Sequence, residues 1–186
     1  MSSAIFRRMV PLGAVLIVLG IGLAGVTGGA IRPRQEEAAT PRLEGGAASM
    51  EELLDEFIEG LEAGDRGALS NLRVSEDEYR NVIVPGSVEP GEPPQILSEE
   101  ASEYFYGVLH GKSQYNRNAL LREFGGKKLE VKSYSFEKGE NQYADYKAHR
   151  RLEIEVVDEE GKSYELRTGS IAEVDGRFKF ISYIRD

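Results

Sequence analysis

The chain has no cysteine. That excludes disulfides, thiolate metal sites, a cysteine nucleophile and the lipidated cysteine of a bacterial lipoprotein, while leaving the redox compartment open. Histidine is nearly as scarce. His110 and His149 are the only two, far apart and with no i, i+4 pairing, which is no basis for a zinc site. Each reads as a surface histidine, and a catalytic role would need an orienting carboxylate and a substrate within reach. Basic charge is short as well: 23 Lys/Arg stand against 32 Asp/Glu, a formal net charge of −9. Residues 1–49 hold five Lys/Arg and three Glu, which leaves 18 Lys/Arg and 29 Asp/Glu for residues 50–186. So acidic a domain repels phosphate backbones, and nucleic acid is not an expected partner. No internal repeat and no catalytic, cofactor or metal signature is visible.

What is present begins with an address. Arg7 and Arg8 precede Met9 to Ile31, 23 residues without a charge. As a helix this run rises about 35 Å, enough for a hydrocarbon core of about 30 Å. A signal peptide is the competing reading, with Gly28-Gly29-Ala30 as the cleavage site. Gly20, Ala24 and Gly28 form a small-residue face at four-residue spacing. Orientation is weakly specified by charge, because Arg32, Arg34 and Arg42 offset the leading pair. A short N-terminal tail before a long acidic domain favours a domain outside the cytoplasm, held by the membrane or secreted after cleavage. The expected divisions are an anchor or signal segment at 1–31, a Pro/Gly/Ala-rich linker at 32–48 and a folded domain at 49–186.

Within that domain, Ser49 and Glu52 form a capping box ahead of the apolar stripe Leu53, Leu54, Phe57, Ile58 and Leu61. Gly64 stops this helix and Asp65 caps a second carrying Leu69 and Leu72. Ser75 and Glu78 form another box before Tyr79, Val82 and Ile83, and residues 85–94 read as a loop. Ser98 begins the longest helical pattern, with Ala101, Phe105, Val108, Leu109, Tyr115, Ala119 and Leu120 on one face. Gly107 and Gly111 predict a kink near Lys112-Ser113, and Gly125-Gly126 ends the helix. The segment ending Gly111-Lys112-Ser113 mimics a phosphate-binding loop, but with three residues between its glycines and in a helical setting it reads as helix.

Four strands follow: Leu129 to Phe136, then Tyr146 to Val157, Ser163 to Ile171, and Phe178 to Ile184. In the second, Tyr146, Ala148, Arg150, Leu152, Ile154 and Val156 alternate with His149, Arg151, Glu153 and Glu155, the period of a half-buried strand. Asp158-Glu159-Glu160-Gly161 reads as a solvated turn because it lacks the ligand spacing of a calcium loop. Asp175-Gly176 is a two-residue hairpin signal. The fold class is α+β, helices packed on a curved antiparallel four-stranded sheet.

Two stretches carry a resemblance. LLDEFIEGLEAGDRGALSNL, residues 53–72, and the closing AEVDGRFKFISYIRD resemble the nuclear-transport-factor-two-like superfamily, shared by steroid isomerases, scytalone dehydratase and polyketide-cyclase-like proteins. The resemblance spans roughly residues 50–186 and implies a conical fold with a pocket at its open end. The catalytic set of the enzymatic members has no counterpart at matching positions here, and the fold alone transfers no function.

Lys112, inside the helical apolar stripe, and Arg150, between Ala148 and Leu152, are the cations the pattern turns inward. A buried charge needs a counter-charge or a ligand, so they are the expected floor of an anion-binding pocket, or else partners of internal carboxylates. Tyr79, Tyr104 and Tyr146 are the candidate walls. The expected function is a membrane-tethered, extracytoplasmic, non-enzymatic module binding a small ligand or a partner protein. The alternatives are an isomerase-, dehydratase- or cyclase-like enzyme, and a structural domain dimerising through Ile181 and Tyr183 on the outer face of the last strand.

Overall fold

In the computed structural model, residues 42–184 are described. The expected membrane or signal segment at 9–31 lies outside them. No helix of the described residues is long and apolar enough to cross a membrane.

The domain is α+β, and its first helices begin where their caps lie. Ser49 Oγ caps α1, Met50–Glu62, by accepting the Glu52 N–H at 3.1 Å, while the Glu52 carboxylate accepts the Ala48 N–H in place of the Ser49 N–H that the expected box requires. Leu53, Leu54, Phe57, Ile58 and Leu61 are all buried. Gly64, at φ +65°, ends α1. Asp65 then caps α2, Arg66–Asn71, by accepting the Gly67 and Ala68 N–H groups at 2.7 and 3.0 Å. The Ser75–Glu78 box starts α3, Glu76–Glu78, which widens into a π-helical turn, Tyr79–Ile83, before α4, Val84–Gly86. There the Val84 N–H reaches the Tyr79 carbonyl, and Pro85 has no N–H to continue an ordinary ladder.

Helix α5, Glu99–Phe124, runs 26 residues without interruption, so the chain does not break at Lys112-Ser113. Ser113 is fully buried and its Oγ accepts the Tyr183 N–H at 2.9 Å, tying the middle of α5 to the end of the chain.

The four expected strands appear as seven: β1 Leu129–Phe136, β2 Glu140–Gln142, β3 Lys147–His149, β4 Leu152–Asp158, β5 Ser163–Thr168, β6 Ile171–Val174 and β7 Arg177–Phe180. They form two antiparallel sheets in place of the single expected one, ordered β1-β4-β5 and β2-β3-β6-β7. The cause is a bend. His149 pairs with Ile171 and Leu152 with Thr168, so the register of one long hairpin runs on across a break at Arg150-Arg151 and Gly169-Ser170. Arg151 sits at φ +54°, a left-handed conformation that turns the strand over. Opposite it, a Cβ on Gly169 would lie 2.3 Å from the Ser182 carbonyl oxygen, so only glycine lets the chain pass there.

The bend exchanges faces. Before it, Ala148 packs with Leu43, Val74, Val82, Ile83, Ala172 and Val174 in one cluster. After it, Leu152, Ile154 and Val156, of the same parity, join the α1 side chains, Leu120, Phe124, Leu166, Ile171 and Phe180 in the main core. The last strand is shorter than expected. Beyond Phe180 the chain leaves the sheet, and Tyr183 is buried on the main core, ring 5.8 Å from Phe57, its hydroxyl donating to the Leu69 carbonyl at 2.6 Å. Ile181 is half-buried against the second cluster. Neither forms the exposed dimer face expected of them. The expected linker at 32–48 also ends sooner, because Leu43 and Ala47 are buried.

Candidate functional site: a buried guanidinium beneath a cleft

Arg73 stands where α2 gives way to a short extended run against the edge of β7. The Val74 N–H donates to the Phe180 carbonyl and the Phe180 N–H to the Leu72 carbonyl, both at 2.9 Å, so the backbone is fastened on each side of Arg73. Its side chain is buried beneath a cleft of about 360 Å³ lined by Glu44, Ser70, Ser75, Tyr106, His110 and Lys179, among others.

The guanidinium has one partner among the described side chains. Nη1 lies 3.1 Å from His110 Nδ1. Arginine only donates, so Nδ1 accepts and His110 is neutral; its proton is then on Nε2, which requires the Gln114 amide to turn its oxygen, not its nitrogen, toward the ring. Nε and Nη2 of Arg73 are buried and meet no acceptor among the described residues. Burial pulls the Arg73 pKa below its usual value, with Tyr106 and Tyr183 opposing and Arg117 reinforcing the shift. No carboxylate is among these influences. His110 is likewise held below its ordinary 6.5, first by burial, then by Arg73 and Arg117.

The buried carboxylate nearby is already engaged. Glu78 takes the Lys179 ammonium on both oxygens at 2.9 and 3.0 Å, the Glu44 N–H at 2.7 Å and the Ser75 N–H at 2.6 Å. It has little left to offer Arg73. Arg117, turned toward α2, donates to Ser70 Oγ and to the Arg66 carbonyl. The cleft therefore holds the Arg73 guanidinium beside the Glu44 side chain, with Tyr106 and His110 in its wall and Tyr79 packed on Tyr106, at successive centroid separations of 5.5 Å.

The residues expected from the sequence do not converge. Lys112 is exposed on α5, where its carbonyl accepts the Asn116 side-chain amide. Of the apolar stripe expected to enclose it, Phe105, Val108 and Tyr115 are exposed and only Leu120 is fully buried, and α5 packs through Ser102, Ser113, Leu120 and Phe124. Arg150 is half-buried at the strand break, its N–H donating to the Gly139 carbonyl at 2.9 Å. Tyr104 is exposed beside Phe105. Tyr146 is buried in the second cluster with its hydroxyl 2.8 Å from Ser87 Oγ, and burial raises its pKa. Of the five, only Tyr79 borders the Arg73 cleft, through Tyr106.

The two histidines expected at the surface are not there. His110 covers Arg73, and His149 is buried between two carboxylates. His149 Nε2 bonds Glu173 at 2.8 Å, while Nδ1 lies 2.8 Å from Glu140 without hydrogen-bond alignment. Arg73 itself was missed. The available signal was its position between Leu72 and Val74, an arginine inside an apolar triplet. Compared with protein-family models, curated proteins and solved structures, the chain has no match in any of the three.

Proposed function

We propose that this domain is a non-enzymatic binding module for a small ligand bearing a carboxylate or phosphate, held at Arg73. Residues 9–31 tether it to a membrane with the domain outside the cytoplasm. The observation that carries the reading is the buried Arg73 guanidinium, two of whose nitrogens meet no acceptor among the described residues, the nearby Glu78 being taken up by Lys179. A buried ion without a counter-charge is expensive by several kcal/mol. A guanidinium presents a planar fork that fits two anionic oxygens. The cleft has the volume of a small-metabolite site, and half-buried His110 is the one group to move aside for the anion to reach the fork.

The test is a melting series of wild type and Arg73→Leu with inorganic phosphate, acetate and citrate. Wild type gains stability with at least one of them, by about 2.7 kcal/mol at a hundredfold excess over Kd. Arg73→Leu loses that response and melts at the same or a higher temperature unliganded, because it removes an uncompensated charge. A wild type indifferent to all three, with a destabilised Arg73→Leu, overturns the proposal. The tether is checked separately, since an intact full-length chain found wholly in the soluble fraction refutes it.

A further inference from the structure

Helix α5 presents its body with a mixed face and solvent with an apolar one. Tyr104, Phe105, Val108 and Tyr115 are 67, 50, 41 and 70% exposed. Among them lie Gly107 and Gly111, and a Cβ built on either meets nothing within 4 Å. Nothing in the described fold calls for glycine at these mid-helix positions, where it is the poorest helix former after proline. Tyr104, Gly107, Gly111, Tyr115, Asn118 and Arg122 follow one another at steps of three and four, the spacing of a helix-pairing seam.

We infer that two copies of this chain pair through α5, antiparallel, about a two-fold axis at Gly111. That axis sets the Tyr115 ring over the bare Gly107 of the other copy, Tyr104 against Asn118, and Glu100 against Arg122. Charge selects this occupant and this direction. The first turns of the helix carry Glu99, Glu100 and Glu103, and its exposed later half carries Lys112 and Arg122 with a single acid, Glu123. An antiparallel copy lays acid on base and opposes the two helix dipoles. A parallel copy lays acid on acid, and an anionic lipid surface is repelled by the same glutamates. The apolar, uncharged residues 9–31 offer these charges no partner. The glycines let the two backbones approach closely at the crossing point.

The absence of cysteine makes the test direct, because any disulfide must come from the introduced residue. In the full-length chain under mild oxidation, Gly111→Cys should give a covalent dimer, since a residue on the axis meets its own copy within disulfide reach. Gly107→Cys and Tyr115→Cys should link to each other when mixed and scarcely to themselves. Ser163→Cys, exposed on β5 away from α5, measures random collision. Wild type should sediment as a dimer, and Gly111→Arg as a monomer with an unchanged circular dichroism spectrum. The inference is overturned if Gly111→Cys links no better than Ser163→Cys, if Gly107→Cys links chiefly to itself, or if wild type sediments as a monomer at high concentration, as it would were another occupant seated there.

Discussion

At the scale of single residues, the informative groups are those whose burial conflicts with their chemistry. Arg73 is one, and the sequence marks it only by its two apolar neighbours, because its burial arises from long-range pairing: Leu72 and Val74 are fastened to Phe180, more than a hundred positions away. Local alternation marked Lys112 and Arg150 instead, and both ended outside the core. His110 yields a pH prediction. As the acceptor of the Arg73 N–H it must be neutral, and burial, Arg73 and Arg117 depress its pKa below 6.5. Between that depressed value and 6.5 the unfolded chain binds more protons than the folded one, so His110 makes stability fall as pH falls through this window. In His110→Asn the amide oxygen keeps an acceptor for Arg73 but does not titrate. Its melting temperature should therefore decline less than that of wild type between pH 7 and pH 5. Parallel declines would show that His110 keeps its ordinary protonation and that its bond to Arg73 is not formed.

At the scale of elements, whatever was encoded locally could be read. The Ser49 cap, the Ser75 box, the Gly64 stop and the Gly125-Gly126 end all lie where the sequence put them. So does the Asp175-Gly176 turn, with φ +48° and +70° at its two central residues. What could not be read was orientation. The alternation from Tyr146 to Val156 continues through Arg150-Arg151 without a missed beat, yet the chain turns over there and same-parity residues enter different clusters. In α5 the apolar residues of its first two-thirds are not the ones that pack, since the body takes up Ser102 and Ser113. Gly107 and Gly111 test this reading of the helix. Each →Ala change adds a methyl into open space and should raise monomer stability by about 1 kcal/mol through helix propensity alone. Gly111→Ala should at the same time weaken self-association. Melts at low protein concentration give the first effect and sedimentation the second. A lower melting temperature would mean that the glycines serve a contact within the folded chain.

At the scale of the whole molecule, the question is where the folded unit starts. Composition places the boundary at Ser49, because residues 32–48 lack any apolar period, and a period is the only sign of structure a short segment can give. Packing places it earlier. Leu43 is buried in the second cluster, and Ala47 exchanges both backbone hydrogen bonds with Phe178, at 3.1 and 2.9 Å, as an added strand on the edge of β7. Arg177 donates to the Gly46 carbonyl at 3.2 Å, and the Glu44 N–H is one of the donors that satisfy buried Glu78. Removing residues 42–48 exposes the edge of β7, uncovers the Leu43 site and leaves Glu78 one donor short. Burying a leucine is worth about 1.5–3 kcal/mol, and each lost hydrogen bond about 1 kcal/mol. The sum is a large part of the 5–15 kcal/mol typical of a domain. A chain beginning at Arg42 should therefore melt higher than one beginning at Ser49, by a margin of the order of 10 °C. Equal melting curves would show that the strand formed by Ala47 and the anchor formed by Leu43 are dispensable, and that the composition boundary is the physical one.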